Sequence, residues 1–472
     1  MLKKFFWIFL EKGSVSLIQF ITLIIMGRLL GPNDYGVYAA MLIFISLSEM
    51  LVDSGFGGAL VYKRNVEQED INTLFYTNAL FSVVLYFIIY FSAPVIEQFY
   101  NIDSFALYLR VLALTIIIYS FSIVQIAMIN RNLDFKKSSV INLLSCVISS
   151  LVAIVLAYYG WGVWALVMQS IINAALLSLL FWCSTQIRLS LSYSISSFRY
   201  FFKFGFNIVL SNILNTIVSN LSSSIIPKIS TVSAAGNYYQ SVRLSNVPSG
   251  ILSSVIDKGV FPILSRERTN HEIVIKARSL NKYFITFLIP IFPLLSICSE
   301  EVIGLVLGEK WMEAVPYFKV LIWIGISLLL QGLYRNLVKS SGATKYILLV
   351  EIFKSILTLS VLLVAMFYGV MSLVYGVVVS TYLGALIWAV LVSRKMGYTL
   401  INQMTDIIKP MISVIFMYIL ILPISNLICG YWKLFVILIG YLLYLIVSVI
   451  IKNDTVLHSL KLIRTYFISD AK

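Results

Sequence analysis

Charge is scarce in this sequence. Only 12% of its 472 residues are Asp, Glu, Lys or Arg, against 60% hydrophobic. A soluble chain carries about 25% charged and about 45–50% apolar residues, so a soluble enzyme of two or three domains is excluded. Histidine is nearly absent: His271 and His458 lie in polar stretches without ligand-type neighbours. Cys146, Cys183, Cys298 and Cys429 lie far apart in or beside apolar runs, which fits neither a disulfide framework nor a zinc site. No metal and no cofactor are expected. Also missing are a Gly-rich phosphate loop, a nucleophile motif and a nucleotide-binding domain. Neither catalysis nor direct ATP drive is therefore expected. Nor is a cleavable signal peptide, because FFWIFL after Lys3-Lys4 is interrupted by Glu11-Lys12 before reaching the usual apolar length.

Long hydrophobic runs are what the chain has instead. Apolar segments fall at 7–30, 36–61, 73–98, 107–129, 138–159, 163–184, 203–226, 236–262, 281–306, 316–338, 346–367, 373–393, 409–428 and 432–451. Each is long enough to cross about 30 Å as a helix. None alternates with a period of two, as barrel strands would. The expectation is an all-α integral membrane protein of about 14 transmembrane helices. Of the 35 basic residues, 25 fall in alternate breaks, six on the opposite side (Arg28, Arg110, Lys228, Lys310, Lys319, Lys433) and four inside spans (Lys12, Arg243, Lys258, Lys354). Basic residues collect in cytoplasmic loops, so both termini are expected to be cytoplasmic. The +14 net charge then implies no nucleic acid.

The chain also repeats. GRLLGPNDYGVYAA (27–40) lies over PKISTVSAAGNYYQ (227–240), matching Arg28 with Lys228, Gly36 with Gly236 and Tyr38 with Tyr238. YLRVL (108–112) lies over YFKVL (317–321), and Tyr159-Gly160 over Tyr368-Gly369. Spans 1–6 and 7–12 therefore read as two parallel six-helix copies, with two further C-terminal helices. The expected division is a lobe at 1–200, a second at 201–400, and the added helices with a tail at 401–472. Such repeats commonly surround a central cavity.

Polar residues inside the spans mark the candidate site. In span 7, Asn207, Ser211, Asn215, Ser219 and Ser223 recur every four residues beside Asn212, Thr216, Asn220 and Ser224, giving one continuous polar face. Small polar residues also serve as packing glue, but nine in two rows favour a water-filled cavity. Span 1, its repeat mate, carries Glu11, Lys12, Ser16, Gln19 and Thr22. Glu49 and Asp53 lie one turn apart in span 2. They are candidates for ion coupling, because intramembrane acids are functional by default. The alternative for Asp53 is a structural pair with Lys12. Arg243 in span 8 suits a phosphate, since its planar fork binds two oxygens. Pro248 and Gly250 in the same span are candidates for gating, or for a static kink. Asp257-Lys258 suit the interface. Glu351 and Lys354, three apart, are expected to pair, with a role in the cavity as the alternative. Tyr158, Tyr159, Trp161 and Trp164 suit an interfacial belt.

The motif GRLLGPNDYGVYAA, the acidic second span and its exit DSGFGGALVYKRN (53–65) resemble Wzx-type polysaccharide exporters, the lipid-linked oligosaccharide flippases of the multidrug/oligosaccharidyl-lipid/polysaccharide superfamily. The resemblance implies a V-shaped pair of six-helix lobes with alternating access. It also implies an undecaprenyl-diphosphate-linked oligosaccharide as cargo, for surface polymers such as lipopolysaccharide O-antigen or exopolysaccharide. Implied partners are that lipid, membrane lipids, a polysaccharide polymerase and chain-length proteins, in a bacterial inner membrane. Within the motif, Arg28, Gly31, Pro32, Tyr35 and Gly36 suit shaping of the outer helix turn rather than cargo contact. Two other readings stand beside this one. A multidrug or organic-cation exporter would use Glu49 and Asp53 in an acidic, aromatic pocket. A membrane-embedded polymerase would need a larger outer loop than this chain offers.

Overall fold

A chain this apolar must satisfy its backbone hydrogen bonds internally, and helices do so within one segment. In the computed structural model every regular element among the described residues is helical. The structure describes residues 2–469 apart from 54–55, 64, 186, 188, 266, 268 and 429. Within its helices the side chains of 2–12, 204, 206–208, 210–211, 254–255, 257–259, 261–262, 270, 344 and 462–469 are not described.

The helices are α1 (Leu2–Leu29), α2 (Pro32–Asp53), α3 (Phe56–Tyr62), α4 (Gln68–Tyr100), α5 (Phe105–Leu112), α6 (Leu114–Arg131), α7 (Phe135–Tyr158), α8 (Val163–Ser184), α9 (Ile195–Ile229) and α10 (Val232–Leu264). They continue as α11 (Asn270–Leu288), α12 (Ile291–Ile297), α13 (Ser299–Val306), α14 (Val315–Leu321), α15 (Ile324–Ser340), α16 (Thr344–Ala365), α17 (Val370–Met396), α18 (Leu400–Leu427), α19 (Phe435–Ile450) and α20 (Asp454–Ser469). Every apolar segment read from the sequence falls on one or more of these helices. Among the described residues, ten helical stretches are long and apolar enough to cross a bilayer, and a pair bent by 41°, Glu309–Leu321 with Ile324–Ser340, makes an eleventh. The described apolar part of α1, Gly13–Leu29, is shorter, and α9 and α10, rich in Asn and Ser, are not among the ten.

The chain forms two compact units, 1–239 and 240–472. The first reaches beyond the sequence boundary at 200 because α9 packs along α2, α3 and α4. Within it, α1 lies on α7, α7 on α8, and α6 on α4 and α8. Met41, Phe105, Leu109, Ile116 and Val167 are buried together as its core. A smaller cluster of Phe56, Leu60, Leu74, Phe75 and Phe201 lies toward the other end. Apolar residues facing outward are equally informative. Leu80, Val84, Phe87, Ile88, Phe91 and Val95 of α4 are all exposed, as a lipid-facing stripe requires.

In the second unit, α15 and α16 pack on α17, and α11 packs on α15 and α18. Span 4 of the sequence is broken at Ala113 between α5 and α6, and span 10 at Ile322–Trp323 between α14 and α15. Gly160 and Gly369 both take positive φ, +78° and +91°, and each precedes the start of a helix.

The C-terminal helices are tied on by a buried carboxylate. Asp406 of α18 is 5% exposed. It accepts from Arg278 Nε at 2.6 Å and Nη2 at 2.9 Å, and from Tyr398 Oη at 2.8 Å. Lys282 Nζ stands at 3.3 Å. Nearby, Tyr444 and Tyr441 donate to the carbonyls of Thr286 and Phe287, pinning α19 to α11. Removing one partner of a buried pair leaves the other charge uncompensated. We expect Asp406→Ala to lower the detergent Tm by several degrees, a loss of about 2–3 kcal/mol. Asp454→Ala, which breaks a pair in which Asp454 is 81% exposed, should move Tm little. Equal shifts in differential scanning fluorimetry would refute the tie.

Candidate functional site

The described part of the polar face on α9 divides in two. Ser222, Ser223 and Ser224 are buried, and Ser224 Oγ donates to the Ala39 carbonyl of α2 at 3.4 Å. This end is helix-packing glue. One turn and more toward the start of α9, the face is open. Asn212 and Ser219 are exposed, and Asn215, Thr216 and Asn220 are half-buried. Ser219 Oγ and Asn220 Nδ2 donate to the Thr216 carbonyl at 3.1 and 3.0 Å, leaving further acceptor and donor capacity on the same side chains. Asn207 and Ser211, expected to continue the face, lie outside the described side chains. So does Lys12, and with it the test of a Lys12–Asp53 pair. Gln19 and Ser16 of α1 are exposed, whereas Thr22 is buried and donates back to the Ile18 carbonyl at 2.8 Å.

Glu49 occupies a different place. It lines a cavity of about 280 Å³ inside the first unit, walled by α2 (Tyr38, Ser46), α6 (Thr115, Tyr119) and α8 (Ser170, Asn173) together with apolar neighbours. On α2 the lining residues Tyr38, Leu42, Ile45, Ser46 and Glu49 follow helical spacing, so one face of the helix is turned to the cavity. Tyr38 Oη and Ser170 Oγ are hydrogen-bonded at 2.8 Å. Thr115 Oγ1 donates across the break at Ala113, to the Leu112 carbonyl that ends α5, at 2.7 Å. Asp53 follows one turn further and is half-buried, and Tyr119 lies within electrostatic reach of both carboxylates. Small-molecule sites usually span about 300–1,000 Å³, so this cavity is too small for an oligosaccharide. It can hold a few waters at about 30 Å³ each, or a small cation. Among the described residues no cluster of His, Cys, Asp and Glu could hold a metal ion.

In the second unit, Arg243 is half-buried, and α10 runs as one helix through Pro248 and Gly250. Asp257 and Lys258 lie outside the described side chains. The Glu351–Lys354 pair forms as expected, at 2.5 Å. Lys354 Nζ also reaches Gln331 Oε1 at 3.4 Å, while Gln331 Nε2 donates to the Thr381 carbonyl at 2.9 Å. A Cβ at Gly384 would stand 2.9 Å from Lys354 Cδ, so the glycine makes room for the lysine stem. The group closes the α15–α16–α17 packing.

The sequence motif at 27–40 is explained locally. Pro32 opens α2, where its missing N–H costs nothing. Asp34 Oδ2 accepts from the Gly31 N–H at 2.9 Å, which satisfies an orphan donor and sets negative charge at the helix N-terminus. Sequence reasoning found Glu49 but missed Tyr38, Thr115, Tyr119, Ser170 and Asn173 as its neighbours. The available signal was the four-residue spacing of Thr115 with Tyr119 and of Ser46 with Leu42.

Comparison with known proteins agrees with this architecture. The family model described as polysaccharide biosynthesis protein matches residues 25–316. The chain is 22% identical over 381 residues to the teichuronic acid biosynthesis protein TuaB of Bacillus subtilis, covering 78% of this chain and 79% of TuaB. It is 24% identical over 327 residues to the succinoglycan biosynthesis transport protein ExoT of Rhizobium meliloti, covering 67% of this chain and 64% of ExoT. In fold it is similar to the Lipid II flippase MurJ in an inward closed conformation, with TM-score 0.78, 15% identity, and 94% and 98% of the two chains covered. An inward-facing MATE-family multidrug transporter follows at TM-score 0.63 and 14% identity, with 82% of this chain and 95% of the transporter covered.

A carboxyl in a largely apolar cavity is open to a lipid-soluble carbodiimide, which attacks protonated acids. Dicyclohexylcarbodiimide is expected to modify Glu49 on peptide mapping and to leave that peptide unmodified in Glu49→Gln. A wild-type protein unmodified at Glu49 would show the carboxyl closed off or held ionised.

The chain belongs to the polysaccharide biosynthesis protein family, and it is a multi-pass membrane protein. The matched proteins with a stated activity are transporters and flippases rather than enzymes.

Proposed function

We propose that this member of the polysaccharide biosynthesis family is a flippase. It moves undecaprenyl-diphosphate-linked oligosaccharide units from the inner to the outer leaflet of a bacterial inner membrane, by alternating access. The observation that carries the reading is the open polar face of α9, Asn212 to Asn220, in a chain that is otherwise 60% hydrophobic. Stripping a sugar hydroxyl of water costs roughly 4–8 kcal/mol in a fully apolar medium. A cargo with many hydroxyls needs a hydrated, hydrogen-bonding path, while its polyprenyl tail stays in lipid. The names of the matched proteins point the same way, to teichuronic acid and succinoglycan biosynthesis.

In this reading the chain crosses the membrane fourteen times, with both termini cytoplasmic, as two parallel six-helix lobes and two added helices. The shared break at Ala113 and Ile322, and the shared positive φ at Gly160 and Gly369, support the repeat. Lys12, Gln19, Asn207, Ser211, Asn212, Asn215, Thr216, Ser219, Asn220 and Arg243 line the cargo path, with Arg243 on the diphosphate. Pro248 and Gly250 allow α10 to flex. Glu49, with Asp53 behind it, takes up a coupling ion in its own cavity. An inside-negative potential adds drive: two negative charges moved outward through 100 mV gain about 4.6 kcal/mol. A polysaccharide polymerase and chain-length proteins would receive the product.

One observation favours a second reading. A carboxylate cavity with two tyrosines, Tyr38 and Tyr119, also suits an organic cation, and would make the protein a multidrug exporter.

The test is a leaflet assay in proteoliposomes carrying a labelled polyprenyl-diphosphate oligosaccharide, read by an impermeant glycosidase. Wild-type protein should translocate it, and Asn215→Leu and Arg243→Ala should slow it by about tenfold or more, each removing a hydrogen-bonding or charged contact. Translocation untouched by both variants would keep the function and remove the path assignment. Efflux of a lipophilic cation with no saccharide movement would establish the second reading.

A further inference from the structure

The two copies of the repeated motif meet each other. A Cβ built on Gly36 of α2 would lie 1.9 Å from the Val232 carbonyl oxygen of α10, and one built on Gly236 would lie 1.8 Å from the Pro32 carbonyl oxygen. Gly236 would also come within 2.9 Å of the Gly36 nitrogen. The contact is reciprocal at the offset of the repeat: Gly36 and Gly236 correspond, as do Pro32 and Val232. Each copy presents a glycine to the other copy's first helical residue, the arrangement of a two-fold interface. The clashing atoms are backbone, so neither side can step aside for a methyl group. Tyrosines ring the contact. Tyr239 lies 6.2 Å from Tyr35 and, edge-on, 6.4 Å from Tyr38, and Tyr35 and Tyr238 are buried.

Helices need small residues to approach closely, and each glycine here clears a different backbone carbonyl of the other copy. Here both copies keep one, at the same turn of the same helix, at the end that charge bias places outside. The helices that meet also differ in membership: α2 lies wholly within the first compact unit, whereas α10 passes from the first into the second at Tyr239–Gln240. A contact between two bare backbones holds only while both glycines are present, since a Cβ on either would strike a carbonyl.

We infer that the Gly36–Gly236 clasp is the outer gate of the transport cycle, closed in this structure, and that α2 and α10 part at these glycines when the protein opens outward. The inference rests on the alternating-access reading above. It assigns the motif glycines a gating role beside the flexing proposed at Pro248 and Gly250.

Two arms test it, in a background with the native cysteines replaced. In the first, Ala39→Cys reports exposure. Ala39 is fully buried, three residues beyond Gly36 on α2, and an impermeant maleimide is applied from outside. Adding Gly36→Ala or Gly236→Ala should raise labelling about tenfold, because a clasp that cannot close shifts the population outward. Unchanged labelling in folded variants would overturn the gate. In the second arm, Tyr35→Cys with Tyr239→Cys is joined by a short, reducible bifunctional thiol reagent. The joined protein should stop translocating lipid-linked saccharide and recover on reduction. Undiminished translocation in joined protein, or failure of the pair to react at all, would overturn the gate. The labelling arm reads conformation without cargo. If wild-type protein moves no saccharide, the flippase reading fails while the gate is still judged by its own result.

Discussion

Everything in this chain answers to one constraint: a polar group inside hydrocarbon must find a partner within the protein. Among the described residues the backbone meets it with helices as the regular elements. Hydroxyls meet it by bonding back to their own helix, as Ser82, Ser120, Ser122 and Ser139 do. Charges meet it in pairs. Asp406 collects Arg278, Lys282 and Tyr398, and Lys354 takes Glu351 and Gln331. The half-buried and exposed amides of α9 and the cavity-lining carboxyl of Glu49 are the groups proposed for cargo and ion.

How much of this was legible beforehand depended on distance along the chain. Helical segments were legible because a 20-residue apolar run has few other solutions. The Glu351–Lys354 pair was legible because three residues make one turn. The cavity around Glu49 was not, since its walls come from α2, α6 and α8, and only packing decides which faces of these apolar helices meet. The same holds for Asp406 and Arg278, 128 residues apart. The α9 face was read as continuous, yet Ser222–Ser224 are buried, with Ser224 bonded to α2. Spacing shows that polar residues share a face, not which neighbour covers it. The compact units likewise divide beyond α9, within α10 at Tyr239–Gln240, since packing on α2 outweighs membership of a repeat.

The motif glycines show the opposite case, in which sequence marked the residues but hid their role. Matching Gly36 with Gly236 established that two positions correspond. It said nothing of their touching. A glycine in a helix costs about 1 kcal/mol against alanine, so keeping one at the same place in both copies needs a reason outside helix propensity. Close backbone approach supplies it.

One side chain joins the cavity proposed for the coupling ion to the glycine contact proposed as the gate. Tyr38 sits two residues after Gly36, stands edge-on to Tyr239, and turns its hydroxyl to Ser170 in the wall of the Glu49 cavity. Coupling between an ion site and a gate requires a physical element that both can bias. A helix that carries the carboxyl at position 49 and the close-contact glycine at position 36 is such an element. The two lie 13 residues apart on α2, about 20 Å along the axis at 1.5 Å per residue. A change in the occupancy of the cavity and a change in the clasp therefore act on one rigid body. Tyr38 ties the outer part of that body to α8, so coupling here needs no long chain of intermediates.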